Sequence, residues 1–99
     1  MRTITAIIRV KAGQEAGMRD ALQAVADYVH AHEPDTMGFF IAQGDTDPCV
    51  FTTYERFTDQ AAMDRHNASS AVAAFFDRVQ PILDGPVTLV TALETSARP

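Results

Sequence analysis

A chain of 99 residues is sized for one domain, and 46% hydrophobic against 21% charged residues is a composition that folds instead of staying disordered. A formal charge of −5 with eight scattered Lys and Arg residues argues against nucleic acid as a partner. No apolar run approaches the ~18 residues that span a bilayer, and Arg9 and Lys11 interrupt the first segment too early for a signal peptide.

Thr3 to Val10 alternates, with Ile4, Ala6, Ile8 and Val10 on one face, and its β-branched residues predict a strand. Ala12-Gly13 breaks it. From about Gln14 to Ala31, Met18, Leu22, Val25 and Val29 recur in steps of four, three and four, opposite Arg19, Asp20, Gln23 and Asp27. This is an amphipathic helix, ended near His32 because Pro34 disfavours helical geometry in the residue before it. Thr36 to Gln43 reads as a second strand, closed by the turn residues Gly44 to Pro48.

Cys49 to Phe57 returns as a third strand, with Cys49, Phe51, Thr53, Glu55 and Phe57 on one face. Thr58 followed by Asp59 predicts a helix start, a hydroxyl cap and then a negative charge near the positive dipole end, with Ala62, Met63 and His66 on the inner side. Ser69 or Ser70 caps another helix, whose inner face is Val72, Phe75, Phe76 and Val79. Pro81 and Gly85-Pro86 stop it, and Val87 to Leu93 is a last strand.

This order predicts an α+β fold: a ferredoxin-like four-stranded antiparallel sheet with helices on one face. It makes a single domain over 1–99, with its core from about residue 3 to 94 and a tail over 95–99. The other sheet face would carry Ile7, Phe40, Val50 and Tyr54, apolar enough to need covering. A second copy packed sheet to sheet is the expected answer, a homodimer. The lone Cys49 has no internal disulfide partner and fits a reducing, cytoplasmic setting.

Chemistry concentrates between Tyr54 and Phe76. His66 lies three and four residues from Met63 and Ala62, which puts an imidazole on a buried helix face. Its ordinary pKa suits a general base taking a phenolic proton, and the alternative is a core histidine bonded to a carbonyl. Glu55 faces inward with Phe51 and Phe57, where a carboxylate needs a partner. It either fixes the His66 tautomer or binds a substrate hydroxyl, or else pairs structurally with Arg9, Arg56 or a backbone amide. Phe39, Phe51, Phe57, Phe75 and Phe76, with Met37, Met63 and Thr53, are the candidate walls of a pocket for a flat aromatic molecule, and most of them serve equally as core.

Tyr54 has the parity of the opposite sheet face. His30 and His32 point about 200° apart on a helix, so with Glu33 they read as a solvated helix end and not as a metal site. No phosphate-cradling loop, paired-cysteine motif or nucleophile elbow is present.

Glu55-Arg56-Phe57, Ala62, His66, Ser69 and Phe75-Phe76, with a weaker match at Glu33-Pro34-Asp35-Thr36, resemble the antibiotic biosynthesis monooxygenase (ABM) domain family. The resemblance runs from about Ile4 to Leu93. It implies a dimeric α+β barrel and a cofactor-free oxygenase of quinol or polyketide substrates. Two positions depart from the family's pattern: Phe57 stands where tryptophan is common, and Ala71 where many members carry a second histidine. The haem-degrading branch's asparagine, tryptophan and histidine fall on Ala6, Phe57 and Phe76, which disfavours that chemistry. The expectation is therefore a monooxygenase oxidising a small phenol, hydroquinone or polyketide-type aromatic, with His66 as base and Glu55 orienting it, and without cofactor or metal. A non-catalytic small-molecule-binding or dimerisation module, or an isomerase in the same pocket, are the alternatives.

Overall fold

The computed structural model describes residues 1–98. The elements run β1 (Arg2–Arg9), α1 (Glu15–His32), β2 (Thr36–Gln43), β3 (Val50–Phe57), α2 (Gln60–Asn67), α3 (Ser70–Val79), a 3-10 turn (Gln80–Ile82) and β4 (Thr88–Leu93). The strands form one sheet in the order β2-β3-β1-β4, every neighbouring pair antiparallel. This is the ferredoxin-like α+β arrangement expected from the order of elements.

Strand parity sets the inside. Ile4, Ala6 and Ile8 of β1 lie opposite Glu55, Thr53 and Phe51 of β3, and all six are buried under the helices. Met18, Ala21, Leu22, Val25 and Val29 of α1 pack onto this face together with Phe75 and Val79 of α3. A second, smaller cluster of Ile4, Phe57, Ala62 and Met63 lies under α2. Along β3 the buried residues therefore run apolar, polar, polar, apolar: Phe51, Thr53, Glu55, Phe57. The polar pair sits between two hydrophobic cores.

Two local details differ from the sequence reading. The α2 cap is Asp59, not Thr58: the Asp59 carboxylate accepts the Ala62 N–H at 2.8 Å. The Thr58 N–H is already committed to the Asp35 carbonyl at 3.1 Å, which keeps the chain extended one residue longer. Phe76 is not buried with Phe75 and Val79 on α3 but is partly exposed. It lies one residue, about 100° of helix, past the buried Phe75 and meets that ring edge-on at 5.3 Å. Ser69 caps α3, accepting the Val72 N–H at 3.2 Å.

The outer sheet face carries exposed Ile7 (48%) and Phe40 (59%), with Tyr54 beside them and Val50 half-buried. All six residues of β4 are exposed, so this edge strand is uncovered on both sides.

Candidate functional site

Pro34 sets the geometry of the site. The residue before a proline avoids helical backbone, and Glu33 ends α1 at φ −124° and ψ 76°, its own N–H still donating to the Val29 carbonyl. This break swings the Glu33 carboxylate away from its neighbours His30 and His32, which are exposed, and toward α2. There Glu33 Oε1 takes two contacts: Thr36 Oγ1 donates to it at 2.8 Å, and His66 Nδ1 lies 2.8 Å away. On the other side of the ring, His66 Nε2 lies 3.1 Å from Glu55 Oε1. Glu55 Oε2 accepts from Thr53 Oγ1 at 2.7 Å.

The imidazole is thus bracketed by two carboxylates, each steadied by a threonine hydroxyl. All three side chains are withdrawn from water, at 4% exposure for His66, 8% for Glu55 and 12% for Glu33. Phe39 and Phe57 pack obliquely on the ring at 5.9 and 5.3 Å between centroids. Burial alone would lower the imidazole's pKa. The hydrogen bonds and charges of Glu55 and Glu33 act the other way and prevail, so it lies above its ordinary value of 6.5.

Beside this cluster lies a cavity of about 230 Å³. Its polar edge is His66, Glu55, Thr53, Asn67 and Thr91. Ile4, Ala6 and Ile8 of β1, Leu22 and Val25 of α1, and Phe39, Val72, Phe75, Phe76, Val87 and Leu89 form the apolar remainder. Of the residues singled out from sequence, Phe39, Thr53, Glu55, His66, Phe75 and Phe76 meet at this space. Phe51, Phe57 and Met63 do not line it. Phe51 and Phe57 are wholly enclosed core, and Met63 packs in the small cluster under α2. Met37 is exposed.

The arginines weighed as partners for Glu55 are engaged elsewhere: Arg9 with Asp47 at 2.7 Å and Arg56 with Glu94 at 2.9 Å. Both have the parity of the outer face. Cys49 donates to Glu15 Oε1 at 3.1 Å, which raises its thiol pKa and keeps it protonated. Among the described residues, no group of three or more His, Cys, Asp or Glu is arranged to hold a metal ion. Both nitrogens of His66 are already occupied by carboxylate oxygens.

Glu33 is the member that the sequence reading left outside the site. Its signal was present in the α1 stripe, where Val25 and Val29 are followed, four residues on, by Glu33 itself. Taking the helix to end before it, in water, hid that continuity.

The family model for antibiotic biosynthesis monooxygenase matches residues 1–78. The chain belongs to that family. No curated protein matches it in sequence. Among solved structures, it is similar to a candidate antibiotic biosynthesis monooxygenase from Nitrosomonas europaea, with a TM-score of 0.87 at 21% identity over 97% of this chain and 100% of the other. A counterpart from Deinococcus radiodurans gives 0.88 at 17% identity over 100% and 97%. Rv0793 from Mycobacterium tuberculosis gives 0.88 at 16% over 97% and 96%. At these identities the likeness establishes the fold, and the roles of side chains in this ABM-family member rest on its own geometry.

Proposed function

We propose that this ABM-family protein is a cofactor-independent monooxygenase acting on a small, flat, electron-rich phenol, hydroquinone or polyketide-type aromatic. The observation that carries the reading is the imidazole–carboxylate pair of His66 and Glu55 set in the wall of a mainly apolar cavity. An apolar cavity of about 150 Å³ admits benzene, so a space of about 230 Å³ suits one or two fused rings. Phe39, Phe75 and Phe76 supply flat walls for such a guest, and Thr53, Glu55 and His66 supply the one polar edge that a ring hydroxyl would seek.

The chemistry needs few parts. The substrate O–H breaks and its proton passes to the Glu55–His66 pair, leaving an electron-rich anion in a water-poor space. There the charged groups act on it more strongly than they would in bulk solvent. A substrate that gives up two hydrogens and gains one oxygen atom supplies all four electrons that dioxygen needs, and the second oxygen leaves as water. No outside reductant enters the balance.

The working unit in this reading is a homodimer joined through the outer sheet faces. It would operate in the cytoplasm, where the protonated Cys49 stays reduced. Among the described residues, no helix is long and apolar enough to cross a membrane.

Oxygen uptake by purified, metal-free protein with a panel of hydroquinones and naphthols is the test. His66→Ala and Glu55→Gln should each lower turnover by about a hundredfold while aromatic ligands still bind. Binding without oxygen uptake, in wild type as in the variants, would replace the enzyme with a non-catalytic binding module. Substrate conversion that persists without oxygen would make it an isomerase.

A further inference from the structure

We infer that Glu33 is a positioning residue for this site: by taking the Nδ1–H of His66 it fixes the ring between two carboxylates, so that Glu55, and not His66, receives the substrate's proton. The inference rests on the oxygenase reading and divides the labour within it.

The argument begins with hydrogen-bond capacity. A neutral imidazole has one N–H donor and one bare acceptor nitrogen, whereas an ionised carboxylate only accepts. Here both ring nitrogens face carboxylate oxygens, at 2.8 and 3.1 Å. A neutral ring would turn a lone pair on one of them at hydrogen-bond distance. With both nitrogens protonated, each N–H has an acceptor and each carboxylate gains an opposite charge, which a buried carboxylate needs. The two carboxylates are the charged groups that act on the ring, Glu55 from β3 and Glu33 from the end of α1, and the β2 and β3 side chains packed on its faces are the phenyl rings of Phe39 and Phe57. The raised pKa of His66 agrees with this state.

A ring already protonated at both nitrogens is no base. Its cluster, two carboxylates to one imidazolium, has one negative charge in excess and so has room for one further proton. Glu33 does not line the substrate cavity, and Glu55 does. Each carboxylate oxygen accepts about two hydrogen bonds. Glu55 uses one site on His66 and one on Thr53, which leaves acceptor capacity toward the cavity. When a phenol O–H breaks there, its proton bonds to Glu55 and the imidazolium stays beside the new phenolate as its counter-charge.

Glu33 is held for this task before any substrate arrives. The Pro34 break aims it, and the Thr36 hydroxyl steadies the same Oε1 that meets the ring. Its Oε2 is buried with no hydrogen-bond partner among the described residues. That is a costly placement for a purely structural carboxylate, and one offset by a positive charge on the ring.

The test is NMR of protein labelled with ¹⁵N-histidine, comparing wild type with Glu33→Gln. Glutamine keeps an amide oxygen for Nδ1–H but removes the charge. In wild type both His66 nitrogens should carry protons at neutral pH, and the ring should deprotonate at a higher pH than in Glu33→Gln. Adding 2-naphthol to wild type should leave the ring doubly protonated. A ring that titrates alike with and without the Glu33 charge would overturn the inference. So would a bare nitrogen in free wild type that becomes protonated when naphthol binds, since His66 would then be the acceptor. The wild-type experiments suffice should the variant fail to fold. Where turnover is measurable, Glu33→Gln should lower kcat about tenfold and shift the pH profile with little change in KM. None of the NMR readouts needs turnover. Absence of oxygen uptake therefore counts against the oxygenase alone, and a titration indifferent to Glu33 counts against this assignment alone.

Discussion

Each carboxylate beside His66 has its own hydroxyl partner, and the two threonines do the same work from different strands. Thr36 holds Glu33 from β2 and Thr53 holds Glu55 from β3. Without them, two long acidic side chains would be free to rotate off the ring. The charge state of His66 also couples to folding. Its pKa is raised in the folded protein above the ordinary 6.5, so the folded state binds the proton more tightly than the unfolded chain does. That contribution is complete below about pH 6.5 and is lost as pH rises through the folded-state value. We expect the thermal midpoint to fall as pH is raised from about 6 into the alkaline range, with a shallower slope in Glu55→Gln. A slope unchanged in that variant would mean that some other group governs the alkaline side.

At the scale of elements, the buried set was legible in the sequence wherever a periodicity stated it twice. The alternation of Ile4, Ala6 and Ile8 and the four-three-four spacing of α1 each name a face, and those residues are the core. Glu55 and His66 were legible for the same reason, as polar residues at apolar positions. What sequence could not supply was depth along a face. Phe51 and Thr53 share a strand side, yet Phe51 is sealed against α1 and α3 while Thr53 borders empty space. Only the spread of the helices over the sheet decides that. Caps show the same limit: Thr58 and Asp59 are equally good cap residues, and the Asp35 carbonyl, distant in sequence, settles the choice by claiming the Thr58 N–H. Asp59→Ala should therefore cost about 1 kcal/mol in urea denaturation, whereas Thr58→Ala should cost distinctly less. Equal losses would return the cap to Thr58.

At the scale of the whole molecule, the outer sheet face is left without a covering among the described residues. Ile7 and Phe40 stand open on it, and the polar groups nearby are already matched to one another. Arg56 and Glu94 form a two-pronged pair at 2.9 Å, and the Tyr54 hydroxyl donates to the same carboxylate at 2.6 Å. Polar groups satisfied in this way can be buried at little further cost, so the face suits a second copy of itself. Ile7→Lys would place a like charge on both sides of such an isologous contact. Sedimentation should then find a monomer where wild type sediments as a dimer, and wild type that sediments as a monomer at micromolar concentration would remove the dimer from the proposal. Since β4 supplies Leu89 and Thr91 to the cavity while being uncovered itself, the monomeric variant should also bind aromatic ligands more weakly.

The Glu33 carboxylate borders a second, polar cleft, formed with Tyr28, His32, Asp35, Thr36 and Arg65 on the far side of the imidazole from the aromatic cavity. The bracketed imidazole thus stands between an apolar space that Glu55 borders and a polar one that Glu33 borders. In the oxygenase reading the proton taken up at Glu55 ends in the water formed from the second oxygen atom, so the cluster returns to its starting charge without drawing a proton from the polar cleft.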